Sequence, residues 1–264
     1  MKKLLTSVLS GIALMGVSMM GTAQAADLYV PDMSVTWTGW YAGVYGLYGF
    51  ADADYSDPYN GHIADRLTDA SSNDLDGFGL GAKAGYLIQD GSLVYGLEGY
   101  AEFYDQDGCV NTYEQDVATG CPYGHSVETE LKNSFGLNAK VGVASDNNLF
   151  YGLLGVNFGK IKSRFNDWTF NGSDGTFDPV DDAVPDNGDT VDTKSDYAVG
   201  LRLGVGIEHK FTENVSLFAE GSVTWYQDQK FLAPNVTFEH DDGNTGLKTS
   251  LTNVSIAAGL NYHF

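Results

Sequence analysis

Residues 253–264 read NVSIAAGLNYHF, where Val254, Ile256, Ala258, Leu260, Tyr262 and Phe264 alternate with Asn253, Ser255, Ala257, Gly259, Asn261 and His263. A two-residue period puts each set on one face of an extended chain, so this is a β-strand with one apolar face. The pattern recurs upstream. Leu80, Ala82, Ala84, Tyr86 and Ile88 oppose Gly79, Gly81, Lys83 and Gly85, and Tyr95, Leu97, Ala101 and Phe103 oppose Glu98, Tyr100 and Glu102. Leu131, Phe135, Leu137, Ala139, Val141 and Val143 oppose Lys132, Ser134 and Lys140, while Val199, Leu201, Leu203, Val205 and Ile207 oppose Arg202 and Glu208. In 215–226 the one bulky residue on the polar side is Phe218, beside Glu220. Residues 40–50 and 149–162 alternate more weakly and bring the strands to eight.

The connections alternate in length. Short turns at 89–92, 145–148 and 211–214 carry Asp, Asn and Gly, which suit hairpins, whereas 51–74, 105–127, 163–195 and 228–248 are long. Eight strands with long loops at one rim and tight turns at the other describe an all-β, antiparallel up-and-down transmembrane barrel. Its four long loops are expected to be extracellular, and its three turns and both termini periplasmic. A soluble sandwich or lipocalin also uses eight alternating strands. Three features favour lipid: the loop alternation, the aromatic chain end and the export signal described next.

Lys2 and Lys3 precede an apolar stretch from Leu4 to Met20, and Ala23-Gln24-Ala25 supplies the small residues of a cleavage site. Residues 1–25 are therefore expected to be a cleaved signal peptide, 26–37 a periplasmic N-terminal segment, and 38–264 the barrel. No later run approaches the ~20 apolar residues of a spanning helix. The chain has 14 Lys plus Arg against 35 Asp plus Glu, a net charge of −21 that becomes −23 without Lys2 and Lys3. Nucleic acid is an unsuitable partner for such a chain. Most of the acidic charge falls in the four long connections, notably Asp178, Asp181, Asp182, Asp186, Asp189 and Asp192, whose order lacks a calcium-loop spacing.

The terminal Leu260-Asn261-Tyr262-His263-Phe264 resembles the C-terminal signature of Gram-negative outer-membrane barrels. With Trp37-Thr38-Gly39-Trp40-Tyr41-Ala42-Gly43 and Tyr197-Ala198-Val199-Gly200-Leu201-Arg202-Leu203-Gly204, it is similar to the small opacity-type, OmpA-like eight-stranded family. Within that family the likeness is to alphaproteobacterial porin-family and haemin-binding surface antigens. The resemblance implies a bacterial outer-membrane location, a structural or surface-exposed role, and reading of Leu260, Tyr262 and Phe264 by the barrel-assembly machinery. Outer-membrane lipid and lipopolysaccharide are the implied surroundings; haemin and host surface molecules are candidate partners. A narrow porin-like channel and a surface receptor or adhesin are the alternative functions.

The polar faces carry Lys83, Glu98, Glu102, Glu128, Glu130, Lys132, Lys140, Arg202, Glu208 and Glu220. An eight-stranded barrel is nearly filled by its own side chains, and buried charges persist only when paired. These ten are expected to form a salt-bridged plug rather than an ion pathway. Opposite polar parities of the second and third strands require facing residues whose numbers sum to an odd value. A type I′ turn centred on Asp90-Gly91 gives such a register and sets Lys83 opposite Glu98. Cys109 and Cys121 lie in the second long connection, and in an oxidising compartment are expected to staple it. His62, His125 and His240, in three different loops, are the candidate ligands for a haem iron. His125-Ser126 with Glu128, and Glu239-His240-Asp241-Asp242, hold catalytic side-chain types, but adjacency does not make a triad, so no enzyme and no resident cofactor is expected.

Overall fold

The computed structural model describes residues 35–56, 72–111, 126–166, 190–232 and 246–264. The strands are β1 (Gly39–Ser56), β2 (Ser72–Asp90), β3 (Leu93–Asn111), β4 (Ser126–Ser145), β5 (Asn148–Asn166), β6 (Thr190–Lys210), β7 (Val215–Tyr226), β8 (Gln229–Leu232) and β9 (Gly246–His263). Each pairs antiparallel with its neighbour, and β1 pairs with β9, which closes the sheet. The short β8 follows β7 after two residues and pairs with the same strand, β9, so nine segments occupy eight positions. Across the apolar belt closure leaves no sheet edge, which is the condition for crossing a bilayer with strands; beyond it β6 runs on past its last β7 pair at Gly200.

Alternation sorts the faces as the sequence requires. Phe78, Leu80, Tyr86 and Ile88 on β2, Leu154, Val156 and Phe158 on β5, and Ile256, Leu260, Tyr262 and Phe264 on β9 are exposed on the outside. Lys83, Glu98, Glu102, Lys140, Arg202 and Glu208 are buried within. An outward apolar face over a polar, buried interior is the inverse of a soluble barrel. The eleven residues from Phe78 to Ile88 cover about 33 Å of strand, or about 25 Å of height at a tilt of ~40°, the thickness of an outer-membrane apolar band.

Both ends of the barrel lie at the rim of the short turns, where the Phe264 amide donates to the Trp40 carbonyl at 3.0 Å. The strands run several residues past the apolar belt at the opposite rim. Alternation fades there because Asp52, Asp54, Asp74, Asp76, Asp105 and Asp107 replace the apolar residues of the outer face, while the ladders continue. Cys109 therefore belongs to β3, its backbone opposite Glu128, and not to a loop. Cys121, residues 1–34 and most of each long connection lie outside the described residues.

Two further expectations need correction. The β2–β3 ladder pairs Asp90 with Leu93, so Lys83 faces Tyr100 and Gly85 faces Glu98, two residues away from the expected register. The turn is Gly91-Ser92, with Gly91 at φ +60° in the first central position. That fits a type II′ turn, where one positive φ falls on Gly; the expected type I′ turn would also have put Asp90 there. A shift of two leaves every side chain on its face. The second departure is in β4, where the ladders to β3 and β5 both slip by one between Leu131 and Asn133. Beyond this bulge the inward parity of β4 inverts: Thr129 and Leu131 are fully buried and Lys132 is exposed.

Inward glycines make room for inward tyrosines on the next strand. Gly81 faces Tyr45, Gly85 faces Tyr41 and Gly206 faces Tyr151; a Cβ at any of the three would run into the facing ring. Gly81→Val should therefore destabilise the barrel by about 1–3 kcal/mol through overpacking. Gly46→Val, where a Cβ meets nothing within 4 Å, should stay close to wild type. Urea midpoints of the two variants in detergent check this.

Candidate functional site: the lumen ion-pair chain

Seven buried side chains form one alternating chain through the lumen. Glu102 on β3 accepts from Arg202 on β6 at 2.9 Å, and Arg202 reaches Glu220 on β7 at 3.3 Å. Glu220 lies 3.6 Å from Lys83 on β2, which lies 3.5 Å from Glu98 on β3. Glu98 is 3.8 Å from Lys140 on β4, and Lys140 is 3.3 Å from Glu208 on β6. The imidazole Nε2 of His263 on β9 ends the chain, 3.0 Å from Glu208. Each interior member touches two opposite charges, the condition under which desolvated charges are tolerated.

Neutral donors complete the carboxylates. Tyr41 and Asn138 donate to Glu98 at 2.6 and 3.3 Å, and Tyr45 and Ser134 to Glu102 at 3.0 Å each. Tyr104 also donates to Glu102, and Tyr151 to Glu220 at 3.0 Å. Ser216 and Asn261 donate to Glu208 at 2.5 and 2.8 Å. The cations sit over aromatic faces. Lys83 lies 3.3 Å from the ring centre of Phe218, Lys140 3.7 Å from that of Tyr151, and the Arg202 guanidinium 4.4 Å from that of Tyr100. Phe218, the bulky exception on a polar strand face, is thus the platform for the Lys83 ammonium.

Apolar layers close the chain at both ends. At the turn rim Trp37, Leu87, Val94 and Leu149 are buried together. Trp37 packs edge-on against His263 and lies beneath the Lys210 ammonium, 4.8 Å from its ring centre. At the loop rim Ala51, Ala53, Leu75, Leu131, Ile161, Ala198 and Leu251 form the other layer, none more than 4% exposed.

Of the ten lumen candidates, the structure brings together seven: Lys83, Glu98, Glu102, Lys140, Arg202, Glu208 and Glu220. Glu128, Glu130 and Lys132 lie elsewhere, because the β4 bulge turns their parity to the outer wall. There Glu130 pairs with Lys132 at 2.9 Å and Lys162 at 3.5 Å, and Glu128 with Arg164 at 2.8 Å. The tyrosines, Asn138, Asn261, Ser216 and His263 share the inward parity, so the period that found the charges also marks them. Trp37, before the first strand, carries no such signal. Leu260, Tyr262 and Phe264 face outward, Phe264 with 76% of its surface exposed. His62, His125 and His240 lie outside the described residues, among which no metal-binding cluster occurs.

A closed eight-stranded barrel with an apolar outer belt and an ion-paired interior defines an outer-membrane barrel. The chain belongs to the family described as outer membrane protein beta-barrel domain, whose model matches residues 12–264. It is similar to the 31 kDa outer-membrane immunogenic protein of Brucella melitensis, 25% identical over 273 residues, covering 97% of this chain and 98% of the relative. The 25 kDa outer-membrane immunogenic protein of Brucella canis is also 25% identical, over 87% of this chain and 80% of the relative. Among solved structures, the outer membrane protein OprG of Pseudomonas aeruginosa shares the fold at a TM-score of 0.52 and 13% identity, covering 88% of this chain and 99% of that one. The protein is thus located in the bacterial outer membrane.

Removing one member of the chain strands its neighbours in a dry interior. Lys83→Ala should cost about 3–5 kcal/mol, whereas Lys248→Ala, which breaks a half-exposed 2.7 Å pair with Asp228, should cost under about 1 kcal/mol. Lys83→Glu combined with Glu98→Lys should recover part of the Lys83 loss. Urea unfolding of the folded barrel, followed by the heat-dependent gel shift, measures each.

Proposed function

We propose that this protein acts as a closed structural barrel that displays its four long connections at the cell surface, as an antigen and contact surface, and not as an enzyme or an open pore. One observation carries the reading: the lumen is spanned by mutually neutralising charges between two buried apolar layers. Ion passage would have to break pairs that the interior cannot resolvate. The seven charges of the chain are committed to one another, and the buried Lys210 at the turn rim donates to the Thr36 and Glu213 carbonyls. The likeness to outer-membrane immunogenic proteins of Brucella supports the same reading.

Planar-bilayer recording is the direct test. The refolded barrel should show no steady conductance, and Lys83→Ala together with Glu220→Ala should not open one while the apolar layers remain. Step conductances in the unmodified protein would establish the narrow-channel alternative. Haemin titration of the same sample separates the receptor alternative, in which His62, His125 and His240 would act.

The cleaved signal peptide, the Cys109–Cys121 staple and delivery by the assembly machinery belong to the same proposal. Phe264 caps a row with Tyr262 and Leu260 on the outer face, and its ring meets that of Tyr262 edge-on at 5.1 Å. Deleting Phe264 should lower the outer-membrane yield several-fold in cells while the purified variant still folds in detergent. Equal yields in cell fractions would contradict the assembly role.

A further inference from the structure

The outer wall just beyond the apolar belt at the loop rim is electrostatically divided. On β1, β2 and β3 it presents Asp52, Asp54, Asp74, Asp76, Asp105 and Asp107, with Asp52 directly opposite Asp74 and Asp76 opposite Asp107. On β4 and β5 it presents Lys132, Lys160, Lys162 and Arg164 against only Glu128 and Glu130. The basic cluster exists because the β4 bulge pushes Lys132 outward, beside the even-numbered outward residues of β5. Lys160 has no carboxylate partner among the described residues, and Lys132 and Lys162 share the single carboxylate of Glu130. Four of the chain's fourteen cations gather here against two carboxylates on the same two strands, and Asp107 of β3, opposite Glu130, marks the acidic boundary of the patch.

Directly below the cations the wall is apolar and aromatic. Phe158 and Val156 continue the outward row of β5, Phe135 and Leu137 that of β4, and Phe135 stacks on Phe158 at 5.4 Å. Cations above an apolar floor match one ligand chemistry, a phosphate joined to acyl chains. We propose that the outer wall of β4 and β5 binds a phosphorylated lipid of the outer leaflet. Lys160, Lys162, Arg164 and Lys132 hold the phosphate, and Phe135, Leu137, Val156 and Phe158 lie along the chains. The site commits to a lipid and not a free anion because Lys160 directly follows Phe158 on the outward row of β5, which makes the cationic patch continuous with the belt. General attraction to an anionic leaflet does not account for the arrangement, since the same height on β1–β3 is acidic. The proposal rests on the outer-membrane placement, with the loop rim outermost, but is independent of whether the lumen conducts.

The test uses the refolded full-length mature barrel in detergent, with native mass spectrometry reading bound lipid. The probes are bisphosphorylated lipid A and its enzymatically dephosphorylated form. Wild type should retain the phosphorylated probe, and the triple variant Lys160→Ala, Lys162→Ala, Arg164→Ala should bind it about tenfold or more weakly. Both should bind the dephosphorylated probe equally weakly. Replacing the same three positions so that all carry arginine should preserve binding, and Asp74→Ala with Asp76→Ala should not weaken it. Inorganic phosphate at millimolar concentration should not displace the lipid; displacement would assign the site to free phosphate and overturn the lipid assignment. If the triple variant does not fold, Lys160→Gln alone decides, because that lysine breaks no ion pair, and it should bind measurably more weakly. Unchanged lipid retention in the folded variants, or equal affinity for both probes, would overturn the proposal. So would loss of a barrel dimer without loss of lipid, which would assign the patch to contact between copies of this chain.

Discussion

An eight-stranded barrel in a membrane has a narrow interior that its own side chains nearly fill and no outside solvent to which a charge can retreat. Charges on inward positions therefore persist when opposite charges and hydrogen-bond donors on other strands meet them. The chain Glu102–Arg202–Glu220–Lys83–Glu98–Lys140–Glu208 meets this demand with links that cross the lumen. Arg202 and Glu102 are a hundred residues apart in sequence, and Lys83 and Glu220 further still. Such pairs form only when the barrel has closed, and they tie closure to a single relative height of β2, β3, β4, β6 and β7.

The same constraint accounts for the glycine and tyrosine content of the inward faces. A carboxylate flanked by two cations still has lone pairs to satisfy, and long phenols reach them from strands where no charge is available. Tyr41 and Tyr45 stand on β1, which contributes no ion to the chain, and their hydroxyls reach Glu98 and Glu102 on β3 across β2. They can do so only because β2 places Gly85 and Gly81 beneath the rings. The rings then offer their faces to Lys140 and Lys83, at 5.3 and 5.7 Å. One Gly–Tyr pair thus serves packing, hydrogen bonding and cation binding together.

Much of this was legible in the sequence because the strand period is two and the faces differ in chemistry. Parity groups Lys83, Glu98, Arg202 and the others on one face, the loop alternation, aromatic chain end and export signal turn that face inward, and parity survives any even error. That is why a turn misplaced from Gly91-Ser92 to Asp90-Gly91 shifted the register by two without moving Lys83 to lipid. Lys83 then meets Glu98 along a diagonal and not directly opposite, which a flexible four-carbon side chain permits. An odd irregularity is what parity cannot see. The bulge at Lys132 sits in a stretch, Glu128 to Asn133, whose one apolar residue, Leu131, keeps the odd numbering of outward Phe135 while folding inward, so the pattern points to the wrong face. Strand ends were hidden for a related reason: above the belt the outer face turns polar and the inner face apolar, as Asp52 and Asp54 beside Ala51 and Ala53 show, so the apolar-outward pattern that marks the belt stops while the backbone ladder continues.

Those hidden extensions carry the division of charge around the barrel. Within the belt the outer face is uniform, because lipid tails ask the same of every strand. Past it the strands remain hydrogen-bonded, so their side chains keep fixed heights and fixed neighbours instead of dispersing as loops do. Aspartates placed opposite each other, as Asp52 and Asp74 or Asp76 and Asp107 are, repel in proportion to how firmly the ladder holds them. Tyr48 relieves part of this by donating its hydroxyl to Asp76. On β4 and β5 the balance reverses, with cations in excess and their carboxylates shared. A rim rigid enough to sustain both arrangements side by side is an extension of the sheet, and it can present a charge pattern that a mobile loop would average away.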